Sequence, residues 1–142
     1  MPTRRSSARW EGGLKGGKGT FKGESGGIGG QYNFGSRFEN GVGSNPEELL
    51  AAAEAACFSM ALSGGLERNG TPPTSVETNA ACTVEKVEDG FGITSIKLDV
   101  TATVPNIDDA KFQEIANATL TGCPVSKAFK GNMEITVNAR LA

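Results

Sequence analysis

Cys57, Cys82 and Cys123 are the three cysteines of a chain that contains no histidine. The missing imidazole excludes Ser-His-Asp and Cys-His catalysis and any His-ligated zinc. Chemistry must then run on cysteine, arginine, lysine and carboxylates. The three cysteines form no CxxC and no zinc-like pair spacing, so a metal site is not expected. Each has an inert reading, because a buried thiol usually behaves as a small apolar side chain. That reading suits Cys82, which shares a strand face with Val76, Ala80 and Val84. Cys123 is different. In "TGCPVSKAF" it precedes Pro124 at the start of a short helix, where free N–H groups and the helix dipole favour a thiolate. Cys57 lies within "AAAEAACFSMAL", where burial among Ala, Leu and Phe raises a thiol pKa unless a cation sits nearby.

The element carrying Cys57 starts at a clear signal. Asn45 is a good N-cap, Pro46 suits the first helical position, and Glu48 stands three residues after Asn45 as in a capping box. The helix runs to Asn69-Gly70, and Thr71-Pro72-Pro73 prevents its continuation. Residues 49 to 62 are apolar on nearly every side, which predicts a helix buried all round. At 100° per residue Glu47, Leu50, Glu54, Cys57 and Ala61 share one stripe, with Glu48 on the opposite side from Cys57. Ten residues separate Glu47 from Cys57, roughly 15 Å along an axis rising 1.5 Å per residue, too far for one site built along one helix. Two such helices packed antiparallel near Ala51, Ala52 and Ala53 would lay Glu47 of one chain near Cys57 of the other. They would also cover the apolar surface, which points to a homodimer.

Around this helix, β-compatible pieces at "SARWEG", "KGTFKG" and "GQYNF" between glycine clusters read as an antiparallel meander, followed by "GSRFENGVGSNP" as a loop. Val76 to Val87 is a strand and "EDG" at 88 to 90 a hairpin turn. The return strand points Ile96, Leu98, Val100, Ala102 and Val104 one way and Lys97, Asp99, Thr101 and Thr103 the other. Helices over 108–120 and 124–129 precede a last strand with Met133, Ile135, Val137, Ala139 and Leu141 inward. The order is α+β, a single domain over 1–142.

Fourteen basic against sixteen acidic residues give a net charge of −2, so neither nucleic acid nor an anionic membrane is an expected partner. "MPTRRSSARW" has no apolar stretch behind it, and no run is expected to reach the ~18 apolar residues of a membrane span. These features predict a soluble cytoplasmic protein, where ordinary thiols stay reduced and a disulfide would be transient.

"SRFENGVGSNPEELLAAAEAACFSMAL", together with "GCPVSKAF", "MEITVNARL" and the N-terminal "ARWEGGLKGGKGTF", resembles the OsmC branch of the OsmC/Ohr peroxidase family across nearly the whole chain. The resemblance implies an intertwined α+β homodimer with two central helices wrapped by sheets. It implies a thiol peroxidase acting on organic hydroperoxides and, less well, on hydrogen peroxide, needing no cofactor and recycled by an external dithiol. By the same resemblance Cys57 matches the peroxidatic cysteine and Cys123 the resolving one. Arg37 matches the family's arginine and Glu47 its glutamate. Read without it, Arg37 is an ordinary loop residue and Glu47 a first-turn carboxylate facing the helix dipole. Two other functions compete: a non-catalytic dimer binding small apolar molecules, and a general dithiol-disulfide exchanger, against which the missing CxxC counts.

Overall fold

The structure, a computed structural model, describes all residues 1–142 and divides into two compact units, Met1–Leu49 and Leu50–Ala142. The first holds strands β1 (Ser6–Glu11), β2 (Lys18–Gly23) and β3 (Gly29–Tyr32) in an antiparallel sheet ordered β1-β2-β3, then a short helix α1 (Phe34–Phe38). Gly19 sits beneath the Trp10 and Tyr32 rings, whose centroids are 5.4 Å apart. A Cβ there would come within 2.4 Å of Tyr32 and 2.8 Å of Trp10, so no larger residue fits under the pair.

Helix α1 falls where a loop is expected. Its five residues are held by a reciprocal cap: the Ser36 N–H donates to Asn33 Oδ1 at 2.8 Å and the Asn33 N–H donates to Ser36 Oγ at 2.9 Å. Ser36, itself buried, also donates to the Ser44 carbonyl at 2.7 Å, and its own carbonyl accepts from Asn45 Nδ2 at 2.9 Å. These bonds fold the glycine-rich segment back on α1. Gly43, at φ +124°, permits the return, since a Cβ there would meet the Gln31 carbonyl oxygen at 2.9 Å.

Helix α2 covers Pro46–Arg68. Asn45 caps it, Oδ1 accepting from the Glu48 N–H at 2.8 Å, while the Glu48 carboxylate takes the Ser44 hydroxyl rather than completing the expected box. The second unit then places β4 (Ser75–Val87), β5 (Gly90–Thr103), α3 (Asp109–Gly122), α4 (Pro124–Phe129) and β6 (Glu134–Leu141). β4 and β5 form the antiparallel hairpin expected from "EDG". β6 joins the other edge of β5 in parallel, a pairing that requires the α3–α4 crossover. On the inner face Cys82 lies opposite Ile96, and Ile96, Leu98, Val100 and Ala102 lie opposite Ile135, Val137, Ala139 and Leu141.

Phe58, Leu62 and Leu66 of α2, spaced by four, form one core with Ile96, Leu98, Val100 and Ala102 of β5 and with Phe112 and Ala116 of α3. Ser59 Oγ donates to Thr78 Oγ1 at 2.7 Å, and Gln113 Nε2 to the Ala139 carbonyl at 2.8 Å, which pins α2 to β4 and α3 to β6. Within one chain α2 is therefore not buried all round. Ala52, Ala53 and Ala56 are exposed and Met60 is 81% exposed, because one sheet face can cover only one side of a helix. By length and composition α2 is also long and apolar enough to cross a membrane, contrary to the sequence expectation; its Ala, Gly and Ser content hid this. The fully buried Glu54 and the face packed in the core belong instead to a core helix.

Leu62→Ala should lower unfolding stability by about 3 kcal/mol, the usual cost of emptying a close-packed leucine site. The same measurement on Val42→Ala, at a fully exposed position, should move by less than about 0.5 kcal/mol. Equal effects in urea unfolding would contradict this packing.

Candidate active site

Pro124 has no N–H to continue the bonding of α3, and the residue before a proline is driven toward extended backbone. Cys123 accordingly adopts φ −61° and ψ 125° as the last cap of α3 and the first of α4. Its N–H still donates to the Thr119 carbonyl at 2.8 Å, and its carbonyl accepts from the Lys127 N–H at 3.0 Å. Held from both sides, its fully buried side chain faces α2.

There Cys123 Sγ lies 2.8 Å from Cys57 Sγ and 3.9 Å from Glu54 Oε1. Glu54 and Cys57 are three apart on α2, hence on the same side. Ser126, on the first turn of α4 and buried, donates its hydroxyl to Glu54 Oε1. Glu54 is fully buried, and its Oε2 has no hydrogen-bond partner. No group of three or more Cys, Asp or Glu side chains is placed to hold a metal ion.

Burial pushes the Cys57 thiol up, and the contact with Cys123 and the charge of Glu54 push the same way. A backbone hydrogen bond from Val125 opposes them, so the free N–H of the α4 first turn, expected to serve Cys123, serves Cys57. Cys57 is half-buried and borders a cleft of about 570 Å³ between α2 and α3, lined mainly by Met60, Ala61, Gly64, Gly65 and Ile115, with Arg68 and Glu114 also on its wall. A small apolar molecule can reach one of the two sulfurs.

The other two expected residues pair with each other in the first unit. Arg37 presents two nitrogens to Glu47: Nη2 donates to Oε1 at 2.8 Å, and Nε donates at 3.1 Å to Oε1 and 3.3 Å to Oε2. Glu47 is 5% exposed, so the carboxylate is largely dry and the forked contact is a strong one. The Arg37 guanidinium also lies 5.1 Å from the Phe38 ring centroid. The α1 cap and the Ser36 bonds thus aim Arg37 at the first turn of α2. Cys82 is partly buried against the core beside Val76 and Ala80, as its strand position suggested.

Sequence reasoning placed Glu54 on the Cys57 stripe but gave it no role, and it passed over Ser126. The available signal was a lone carboxylate inside an alanine-rich buried helix, where an ionisable side chain is costly without a partner.

Comparison with known proteins adds the family. The OsmC-like protein profile matches residues 38–138. The Escherichia coli (strain K12) protein named peroxiredoxin OsmC is 48% identical over 139 residues, covering 97% of this chain and 96% of that one. The Bacillus subtilis (strain 168) organic hydroperoxide resistance protein OhrB is 34% identical over 105 residues, covering 72% and 74%. A crystal structure of Bacillus subtilis OhrB superposes with a TM-score of 0.78 at 29% identity, over 97% of this chain and 98% of that one. The match over residues 38–138 and the 48% identity over nearly the full length show that the chain belongs to the OsmC-like protein family.

Proposed function

We propose that the chain is a thiol-dependent peroxidase that reduces organic hydroperoxides, and hydrogen peroxide less well, in defence against oxidative stress. The observation that carries the reading is the pair of sulfurs 2.8 Å apart, one fully buried and the other bordering an apolar cleft. The relatives named peroxiredoxin OsmC and organic hydroperoxide resistance protein support it. In this reading the Cys57 thiolate attacks the terminal peroxide oxygen, an alcohol or water leaves, and Cys57 becomes a sulfenic acid. Cys123 condenses with it to a disulfide, which spares Cys57 from irreversible oxidation, and an external dithiol reduces the disulfide by exchange. The sulfurs need only close to about 2.05 Å for that bond.

Arg37 and Glu47 enter the proposal through the family resemblance of "SRFE" and "NPEE" and through their ion pair. A guanidinium stays charged and is weakly hydrated, so Arg37, fixed by Glu47, is assigned to offset the burial that raises the Cys57 thiol. We further propose a soluble, cytoplasmic homodimer, with the exposed Ala52, Ala53, Ala56 and Met60 face of α2 covered by a second chain.

One equivalent of cumene hydroperoxide should remove one pair of thiols per chain, Cys57 and Cys123. Ligand binding with both thiols intact would favour a non-catalytic carrier. Cys57→Ser should abolish turnover, and Cys123→Ser should allow one oxidation and then stall with sulfenic or over-oxidised Cys57. Full multiple turnover of Cys123→Ser with a dithiol would contradict the resolving role. Removing a cation disfavours the thiolate, so Arg37→Met should move the alkylation curve of Cys57 to higher pH. The peroxide rate near neutrality should then fall about tenfold for every pH unit the curve moves. An unchanged curve would remove Arg37 from the site. Met60→Lys should shift sedimentation from dimer to monomer; a monomeric, fully active wild type would remove the dimer.

A further inference from the structure

Glu54 has no part in the cycle above, and its placement is unfavourable for stability. A carboxylate on an alanine-rich stretch of α2 is fully buried, with one oxygen lacking any hydrogen-bond partner, where an apolar residue would be cheaper. Its other oxygen, Oε1, faces the reacting end of Cys123 at 3.9 Å and accepts the Ser126 hydroxyl. Cys123 has a single thiol proton and two acceptors in reach, Cys57 Sγ and Glu54 Oε1. The titratable groups facing the carboxyl are Cys57 on its own helix and Cys123 from the α3–α4 junction.

Resting on the peroxidase reading, we propose that Glu54 is the proton acceptor for Cys123 in the disulfide-forming step. With Cys57 as sulfenic acid, the Cys123 S–H proton passes to Glu54 Oε1 and the freed sulfur lone pair attacks Cys57 Sγ. The S–S bond forms as the Cys57 S–O bond breaks. The departing hydroxide takes the proton from Glu54 and leaves as water, returning the carboxylate. Cys123 is oxidised, the Cys57 sulfenic sulfur is reduced, and no further reagent enters. A buried thiol without such a partner would wait for solvent hydroxide, and its rate would climb about tenfold per pH unit below the free-thiol pKa of ~8.5.

The test is rapid mixing of the reduced protein with cumene hydroperoxide, following Cys57 sulfenic acid by dimedone trapping and disulfide by mass. Glu54→Gln keeps the size of the side chain and an oxygen for Ser126 but cannot take a proton; Glu54→Asp is shorter but can. Sulfenic acid should form in Glu54→Asp at a rate within about threefold of wild type, and in Glu54→Gln no more slowly than in wild type, since losing the charge that raises the Cys57 thiol favours its thiolate. Condensation should slow by about tenfold or more in Glu54→Gln and acquire the steep pH dependence, while Glu54→Asp keeps a flat profile. If Glu54 only holds α4 through Ser126, Gln will do better than Asp, and that order overturns the proposal, as does wild-type behaviour of Glu54→Gln. Should Glu54→Gln fail to fold, the wild-type profile decides: flat between about pH 6 and 8 supports the transfer, and a tenfold rise per pH unit overturns it. A wild type that forms neither sulfenic acid nor disulfide overturns the underlying peroxidase reading, an outcome visible before any Glu54 variant is compared.

Discussion

The approach of two sulfurs from separate elements organises the second unit. One is fixed on a helix whose neighbouring side chains Phe58, Leu62 and Leu66 are locked in the core, so α2 cannot turn without breaking that packing. The other is set by a proline that stops α3 and holds the cap extended. Neither sulfur depends on a flexible loop for its position. Bonds at both ends of the junction, Cys123 N–H to Thr119 and the Lys127 N–H to Cys123, keep the thiol aimed while α4 starts in a new direction.

Charge is handled separately from position. The apolar surroundings that suit a greasy substrate also penalise an ionised sulfur, and the rise of the Cys57 thiol follows from that burial. Within the first unit the fork holds the half-buried Arg37 cation against the buried Glu47 carboxylate, prepared by the Asn33–Ser36 cap and the return of the glycine-rich segment onto it. Glu54 is the opposite case: a negative group beside thiols, which opposes thiolate formation at Cys57 and is proposed above to take a proton from Cys123. Two carboxylates of one helix are thereby given different surroundings, one against a guanidinium and one against sulfur and a hydroxyl.

Much of this was legible in the residues. Asn45-Pro46 and Asn69-Gly70 bracket α2 as observed, Pro124 marks α4, and the alternation from Ile96 to Ala102 names the buried face of β5, because each signal is local and acts on its own backbone. What stayed hidden was non-local. Nothing in "MEITVNARL" says that β6 pairs in parallel with β5, since that depends on the crossover and not on the strand. Helix α1 was obscured by flanking glycines, although Asn33 and Ser36 hold its cap. The alternation of apolar types on α2 could not tell which sides one chain covers. The surroundings of Glu54 depended on what lies across from it, and Ser126 is 72 positions away.

Cys57 and Cys123 are 66 positions apart, and the segment between them contains the rest of α2, the whole β4–β5 hairpin and α3. A covalent link across that span shrinks the disordered ensemble much more than it alters the native one, by about 4 kcal/mol on the chain-entropy argument. In the proposed cycle the oxidised form would then be the tougher molecule, and the reductant that resets it would also loosen it. Under that proposal, resistance to heat or to proteases would gauge how much of the population is waiting to be recharged.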